Sequence, residues 1–453
     1  MVSLILARLL GPESFGSIAM ATIFFSISRA IIEGGVIDSI IRTKTLNQEI
    51  LNVGFYLNVC LSFFAYAVIF LSAPFVSDFF GKDDLTYLIR AVSVILVLNA
   101  STLAQRAVFI KKLEFKKIAM VRFPALAISG VLAIYLAAEG YGVDALLAQI
   151  VLEEILFCIG IWFMSPWRPS FSFSLSILKT HASFGSRLVG IALVNAIYSN
   201  IFSIVIAKFF STAQLGLYNR AEGLVMLLQQ NSVGIIQFIG YPSLTSVNDD
   251  EERLRRVYLR ILTLTIFLIV PIFVFLAIHA DAIIVVLLGD KWTGAIYILK
   301  ILSVAALFYP LNSVNLNILK VKGRADLYLR VEVIKKVTLS VLVISSIPLG
   351  FNYLVLSNLA IAIIAIFLNH YFSSKVIEIP IKAQFREFIP ILCSGLAAAA
   401  ITGILSILIQ SFDLIVQILV QFVCFGVLYF GCIHLVKRDV SIQLLDIIYK
   451  LRK

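Results

Sequence analysis

The chain has 453 residues, of which 60% are hydrophobic and only 14% charged, and its mean hydropathy is +1.01. Soluble domains carry about 25% charged residues, and a globule of this size in water has no way to bury so much apolar side chain. Runs such as VIFLSAPFV and ILTLTIFLIVPIFVFLAI lack the polar alternation of a membrane barrel, so the sequence describes an all-α integral membrane protein with short connections.

Windows holding the ~20 apolar residues that cross a bilayer fall, in chain order, near 15–38, 50–74, 86–108, 119–138, 142–165, 183–207, 213–240, 257–279, 293–318, 328–349, 353–374, 389–410 and 414–436. Ahead of them stands MVSLILA, an apolar stub, which brings the expected total to about 14 spans with the first shortened. The stretches KKLEFKK and KRDVSIQLLDIIYKLRK are basic and amphipathic, and are expected to lie in the interface.

The connections between windows alternate in charge. One set holds 27 Lys and Arg, and the other holds Arg8, Lys82, Lys208 and Lys291. Cationic loops stay in the cytoplasm, so the rich set and the C-terminus are assigned there. Most of the net charge of +11 is thus an orientation signal, and nucleic acid is not an expected partner. The five cysteines (Cys60, Cys158, Cys393, Cys424, Cys432) lie in apolar runs and read as small packing residues. No His-x-x-x-His, CxxC, GxGxxG or GxxxxGK[ST] pattern occurs, so neither metal nor cofactor is expected, and the chain is not read as an enzyme.

Shifting the chain by 200 places SLILARLLGPESFG on SIVIAKFFSTAQLG without a gap. Ser3, Ala7, Gly16, Ala21 and Gly34 then meet identical residues, and Arg8 meets Lys208. Two hundred residues equal six helices with their loops, which predicts two pseudo-repeated six-helix bundles followed by two additional helices. The expected divisions are an N-terminal bundle at 1–180, a C-terminal bundle at 181–380, two further transmembrane helices at 381–436 and a cytoplasmic amphipathic tail at 437–453. The second repeat has nearly thirty residues before its cation and the first has seven, so about twenty residues of a first helix are expected to be missing. Paired six-helix halves with a site near the bilayer midplane are a transporter design.

ARLLGPESFG, the loop YPSLTSVNDDEERLRRVYLR and the segment LLGDKW with the later Gly323-Arg324 together carry a resemblance. The chain resembles the polysaccharide-flippase (Wzx-type) branch of the multidrug/oligosaccharidyl-lipid/polysaccharide exporter superfamily. That resemblance implies alternating access between V-shaped states and a place in a bacterial inner membrane. It also implies transfer of an undecaprenyl-diphosphate-linked oligosaccharide to the periplasmic leaflet, for O-antigen, capsule or exopolysaccharide assembly. A polysaccharide polymerase and chain-length machinery are further implied partners. A drug or metabolite exporter of the same fold, exchanging its cargo for protons or sodium, is the alternative.

A diphosphate crossing the bilayer calls for a wet, cationic cleft, and ionisable residues inside spans mark where to look. Arg29 lies about 20 Å from the outer end of its span, with Glu33 one turn later on the same face. They could serve the cleft, pair structurally, or snorkel to the headgroups. Arg220 and Glu222 occupy the repeat-equivalent helix, and Asn195 and Asn200 are candidate contacts for sugar hydroxyls or for neighbouring helices. Glu153 and Glu154 are candidates for ion coupling, or for pairing with an adjacent helix.

Overall fold

The computed structural model describes residues 2–33, 47–170, 190, 192–235, 240–409 and 412–437. Among them every regular element is helical, and the chain forms two compact units, Met1–Asn219 and Arg220–Lys453.

The first unit contains α1 (Val2–Leu9), α2 (Pro12–Glu33), α3 (Gln48–Phe80), α4 (Leu85–Lys111), α5 (Phe115–Ala138) and α6 (Val143–Met164). It ends with α7 (Ala192–Ser199), α8 (Ile201–Phe209) and the first turns of α9 (Thr212–Ile235). Local chemistry starts and stops these helices. Asn47 caps α3 by accepting from the Ile50 amide at 3.0 Å, and Gly81 ends it in the left-handed conformation at φ 67°. Leu88, Val92, Leu96, Ala100 and Phe109 are buried along α4, which is the centre about which the other helices pack. The stub α1 lies on α5, with Leu6 and Ala7 fully buried.

The crossing of α2 and α9 bears out the offset of 200. A Cβ on Gly16 would run into the Thr212 carbonyl, and a Cβ on Gly216 would run into the Pro12 carbonyl. Each contact is the other shifted by 200 residues, so the two helix starts face one another as a reciprocal pair. Only glycine permits backbones so close.

The second unit contains the rest of α9, then α10 (Tyr241–Thr245), α11 (Glu251–Ile278), α12 (Ala280–Leu288), α13 (Ala295–Ala306), α14 (Tyr309–Val321), α15 (Ala325–Ser346), α16 (Phe351–Ser373), α17 (Ile381–Leu408) and α18 (Leu414–Val436). Its centre is α11, capped by Asp250 and buried at Leu254, Leu262, Ile266, Val270 and Phe273. A charge-free polar cluster ties α11, α14, α16 and α17 together. The Tyr258 hydroxyl, the Ser373 hydroxyl and the Gln384 amide all donate to Asn315 Oδ1, and Asn315 Nδ2 donates back to Gln384 Oε1 at 2.8 Å. At one end of α17, Glu387 meets Lys437 and accepts from the Thr263 hydroxyl at 2.7 Å.

Eight of these helices are long and apolar enough to span a membrane, and the bent pairs α7/α8 and α13/α14 raise the number to ten. With α2, α9 and α15, of 22, 24 and 22 residues, they fall on all thirteen predicted windows. Four expectations need correction or limit. KKLEFKK is no separate interfacial segment: it is the end of α4, a tight turn with Leu113 at φ 57°, and the start of α5. Arg122, counted among the loop cations, lies seven residues inside α5. The connection after 279 carries α12 and a 3-10 turn that closes on the buried Trp292. The tail beyond Lys437 lies outside the described residues.

Candidate functional site

In the first unit, the face of α2 that carries Arg29 is built at a broken span. Helices α7 and α8 meet at Asn200 with a bend of 48°. A break frees backbone groups that lipid leaves unsatisfied, so it belongs where protein or water can take them up. Asn200 Nδ2 donates back to the Ala196 carbonyl at 2.7 Å and across to Ser26 Oγ at 3.0 Å. The Ser26 hydroxyl donates to the Ile23 carbonyl at 2.8 Å, which leaves its lone pairs for Asn200. Arg29 follows Ser26 by three residues and so shares its face. It is exposed, about 25 Å along α2 from Pro12 at 1.5 Å per residue. Glu33 is the last residue of α2, and its side chain lies outside the described residues. Asn195 is exposed on α7.

Glu153 and Glu154 meet a partner that the sequence reading had placed in a loop. The Arg122 guanidinium reaches Glu153 Oε1 at 3.2 Å and Glu154 Oε1 at 2.8 Å, and lies 4.8 Å from the centre of the Phe157 ring. One guanidinium shared by two carboxylates offsets half of their negative charge. Behind them Cys158 Sγ lies 3.2 Å from the Ser101 hydroxyl.

In the second unit Arg220 and Glu222 point to different surroundings, as residues two apart on a helix must. Arg220 is half-buried, its guanidinium 6.0 Å from the ring of the fully buried Trp292. Glu222 lines a cavity of about 230 Å³ with Gln229, Tyr309, Asn312 and Asn358, drawn from α9, α14 and α16. The wall includes the second broken span, where α13 and α14 meet at 41°.

The structure thus joins Asn200 to the face of Arg29, joins both acidic residues to Arg122, and separates Arg220 from Glu222. Ser26, Arg122, Gln229, Tyr309, Asn312 and Asn358 were missed in the sequence. Their signal was polar residues three, four or seven apart inside apolar windows. Among the described residues no group of His, Cys, Asp and Glu could hold a metal ion.

The family described as "Polysaccharide biosynthesis protein" matches residues 5–297, from α1 into α13. This chain belongs to that family. Its relatives include the lipopolysaccharide biosynthesis protein WzxC of Escherichia coli K12, 24% identical over 391 residues, or 85% of this chain and 78% of WzxC. The teichuronic acid biosynthesis protein TuaB of Bacillus subtilis 168 is 25% identical over 312 residues, or 68% of this chain and 63% of TuaB. The fold is that of the lipid II flippase MurJ in an inward-closed conformation, with a TM-score of 0.73 at 15% identity over 97% of each chain. It is shared also with an inward-facing MATE transporter of the MOP superfamily, at a TM-score of 0.60 and 18% identity, over 83% of this chain and 94% of that one. The family resemblance read from ARLLGPESFG and LLGDKW holds, as does the all-helical membrane fold.

Proposed function

We propose that this member of the polysaccharide biosynthesis family carries undecaprenyl-diphosphate-linked oligosaccharide repeat units from the cytoplasmic to the periplasmic leaflet of the bacterial inner membrane. The observation that supports this most is the Arg29 face of α2: an exposed guanidinium deep in a membrane-length helix, beside an asparagine at a broken span. An Arg fork can hold two phosphate oxygens at once, and a charge at that depth is tolerated where water reaches it. Alternating access moves the headgroup while the polyprenyl tail stays among the acyl chains. In this reading the chain divides into bundles at 1–180 and 181–380, two helices at 381–436 and a cytoplasmic tail at 437–453. The C-terminus is cytoplasmic, and the exported unit passes to a polymerase and chain-length machinery. Glu153 and Glu154, holding more acid than Arg122 offsets, are the candidates for ion coupling.

Deleting the gene from its host should leave lipid-linked repeat units facing the cytoplasm and abolish surface polysaccharide. The Arg29→Ala variant should insert normally and fail to restore export. Full export by that variant removes Arg29 from the mechanism.

A further inference from the structure

The cavity that takes Glu222 has a chemistry distinct from that of Arg29. Its polar wall comes from three helices. Glu222 and Gln229 are two turns apart on one face of α9, Tyr309 and Asn312 are one turn apart on α14, and Asn358 faces them from α16. Placing five polar side chains inside spans is costly unless they meet water or a polar ligand. The span itself breaks here: the 41° bend between α13 and α14 falls between Ala306 and Tyr309, and both line the cavity. Irregular backbone at membrane depth is tolerated where it lines a cavity, and transporters use such broken helices at their binding sites.

The amides are also held ready. Asn312 Nδ2 donates to the Ala362 carbonyl at 3.2 Å, and its Oδ1 accepts from Asn369 Nδ2 at 2.8 Å. A carboxamide has two donors and two acceptor sites, so this bracing fixes Asn312 and leaves one donor and one acceptor for the cavity. Asn369 is fully buried behind it. Ala305, Ala306 and Ala362 also line the cavity, and their small side chains leave room beside the polar groups.

Among the described lining residues there is one carboxylate and no Lys, Arg or His. Such a wall repels phosphate. It matches groups that donate and accept together, namely the hydroxyls and amides of a sugar, with Glu222 taking the strongest of the sugar O–H bonds. We propose that this cavity is a subsite for uncharged, hydroxyl-rich sugar rings, in which Gln229, Asn312 and Asn358 determine which ring is accepted. The inference rests on the transport reading above, and it assigns the glycan to a wall that plays no part in holding the diphosphate.

The test uses the full chain, purified in detergent, and two probes applied separately: the repeat-unit oligosaccharide freed of lipid and phosphate, and inorganic pyrophosphate. The oligosaccharide should raise the melting temperature of the wild type. Its apparent affinity should fall about tenfold in Gln229→Leu and in Asn312→Leu, the loss of one good hydrogen bond each, and stay unchanged in Arg29→Ala. Pyrophosphate should stabilise both leucine variants as it does the wild type. Equal stabilisation of all variants by the oligosaccharide places the sugar elsewhere and overturns the proposal while transport stands. A leucine-sensitive shift given by sodium chloride alone, with none from the sugar, makes the cavity a cation site and also overturns it. Failure of the wild-type gene to restore surface polysaccharide to its deletion host would count against the transport reading itself.

Discussion

Replacing Gly16 with alanine tests the reciprocal crossing of α2 and α9. The new Cβ would sit about 1.1 Å inside the 3.0 Å that real Cβ atoms keep, against a backbone carbonyl that has no rotamer to swing away. The helices must therefore part by about that distance, and overpacking of this kind costs about 1–3 kcal/mol. Gly216→Ala makes the same demand from the opposite side, against Pro12. Because one separation makes room for both methyls, the double variant should cost about as much as either single one, a coupling of 1–3 kcal/mol in a double-mutant cycle where distant sites would add. Gly223→Ala is the control: it lies on α9 with nothing within 4 Å of its Cβ, and it should be neutral or slightly stabilising. Thermal unfolding of the purified protein in detergent reads all four. Additive losses, or two silent single variants, would refute the reasoning.

Arg122→Leu should sharply reduce the amount of inserted protein, because an unpaired carboxylate in a span costs about 2.5–3.5 kcal/mol on insertion scales. Adding Glu153→Gln and Glu154→Gln should restore it, and immunoblots of membrane fractions give the comparison. Trp292→Ala empties a fully buried site under Arg220 and should destabilise the second unit by about 3–5 kcal/mol, seen as a lower melting temperature. Asn315→Leu should cost about 1–2 kcal/mol for each buried polar partner it abandons, and Gln384→Leu on that background should add less than it does alone. The Arg324 guanidinium forks onto Asp326 through two bonds of 2.9 Å and holds that carboxyl at about 2. Its contribution should therefore be complete at neutral pH and fade as pH falls toward about 2, so the melting difference between wild type and Asp326→Asn should close over that range.

Composition was enough to place thirteen apolar windows that fall on helices, eight to ten of them long and apolar enough to span a membrane, because each window rests on a local sum of apolar content. The 200-residue offset was legible for the same reason, and Gly16 and Gly216 convert it into a physical contact. The candidate site was less legible. Arg122 falls just inside the apolar window 119–138, and counting it with the cations of the neighbouring connection hid its role; its two partners sit some thirty residues away on α6. Arg220 and Glu222 are adjacent as text and diverge in space because a helix turns about 200° in two residues. Asn312 and Asn358 gave no signal singly, since their meaning depends on three helices converging beside a break.

The buried cluster around Asn315 also sets an order of events during biosynthesis. Asn315 and Gln384 are 69 residues apart, and a ribosome adding 5–20 residues per second needs about 3–14 s to make the intervening chain. Through that interval α11 and α14 are complete, while the asparagine that joins them still awaits its glutamine. Until α17 emerges the amide has the Tyr258 hydroxyl and the Leu311 carbonyl as partners, and its remaining hydrogen-bonding capacity waits for Gln384. The second unit is thus sealed by its own late helix, and a chain released before residue 384 would carry an open hydrogen-bonding site into the lipid.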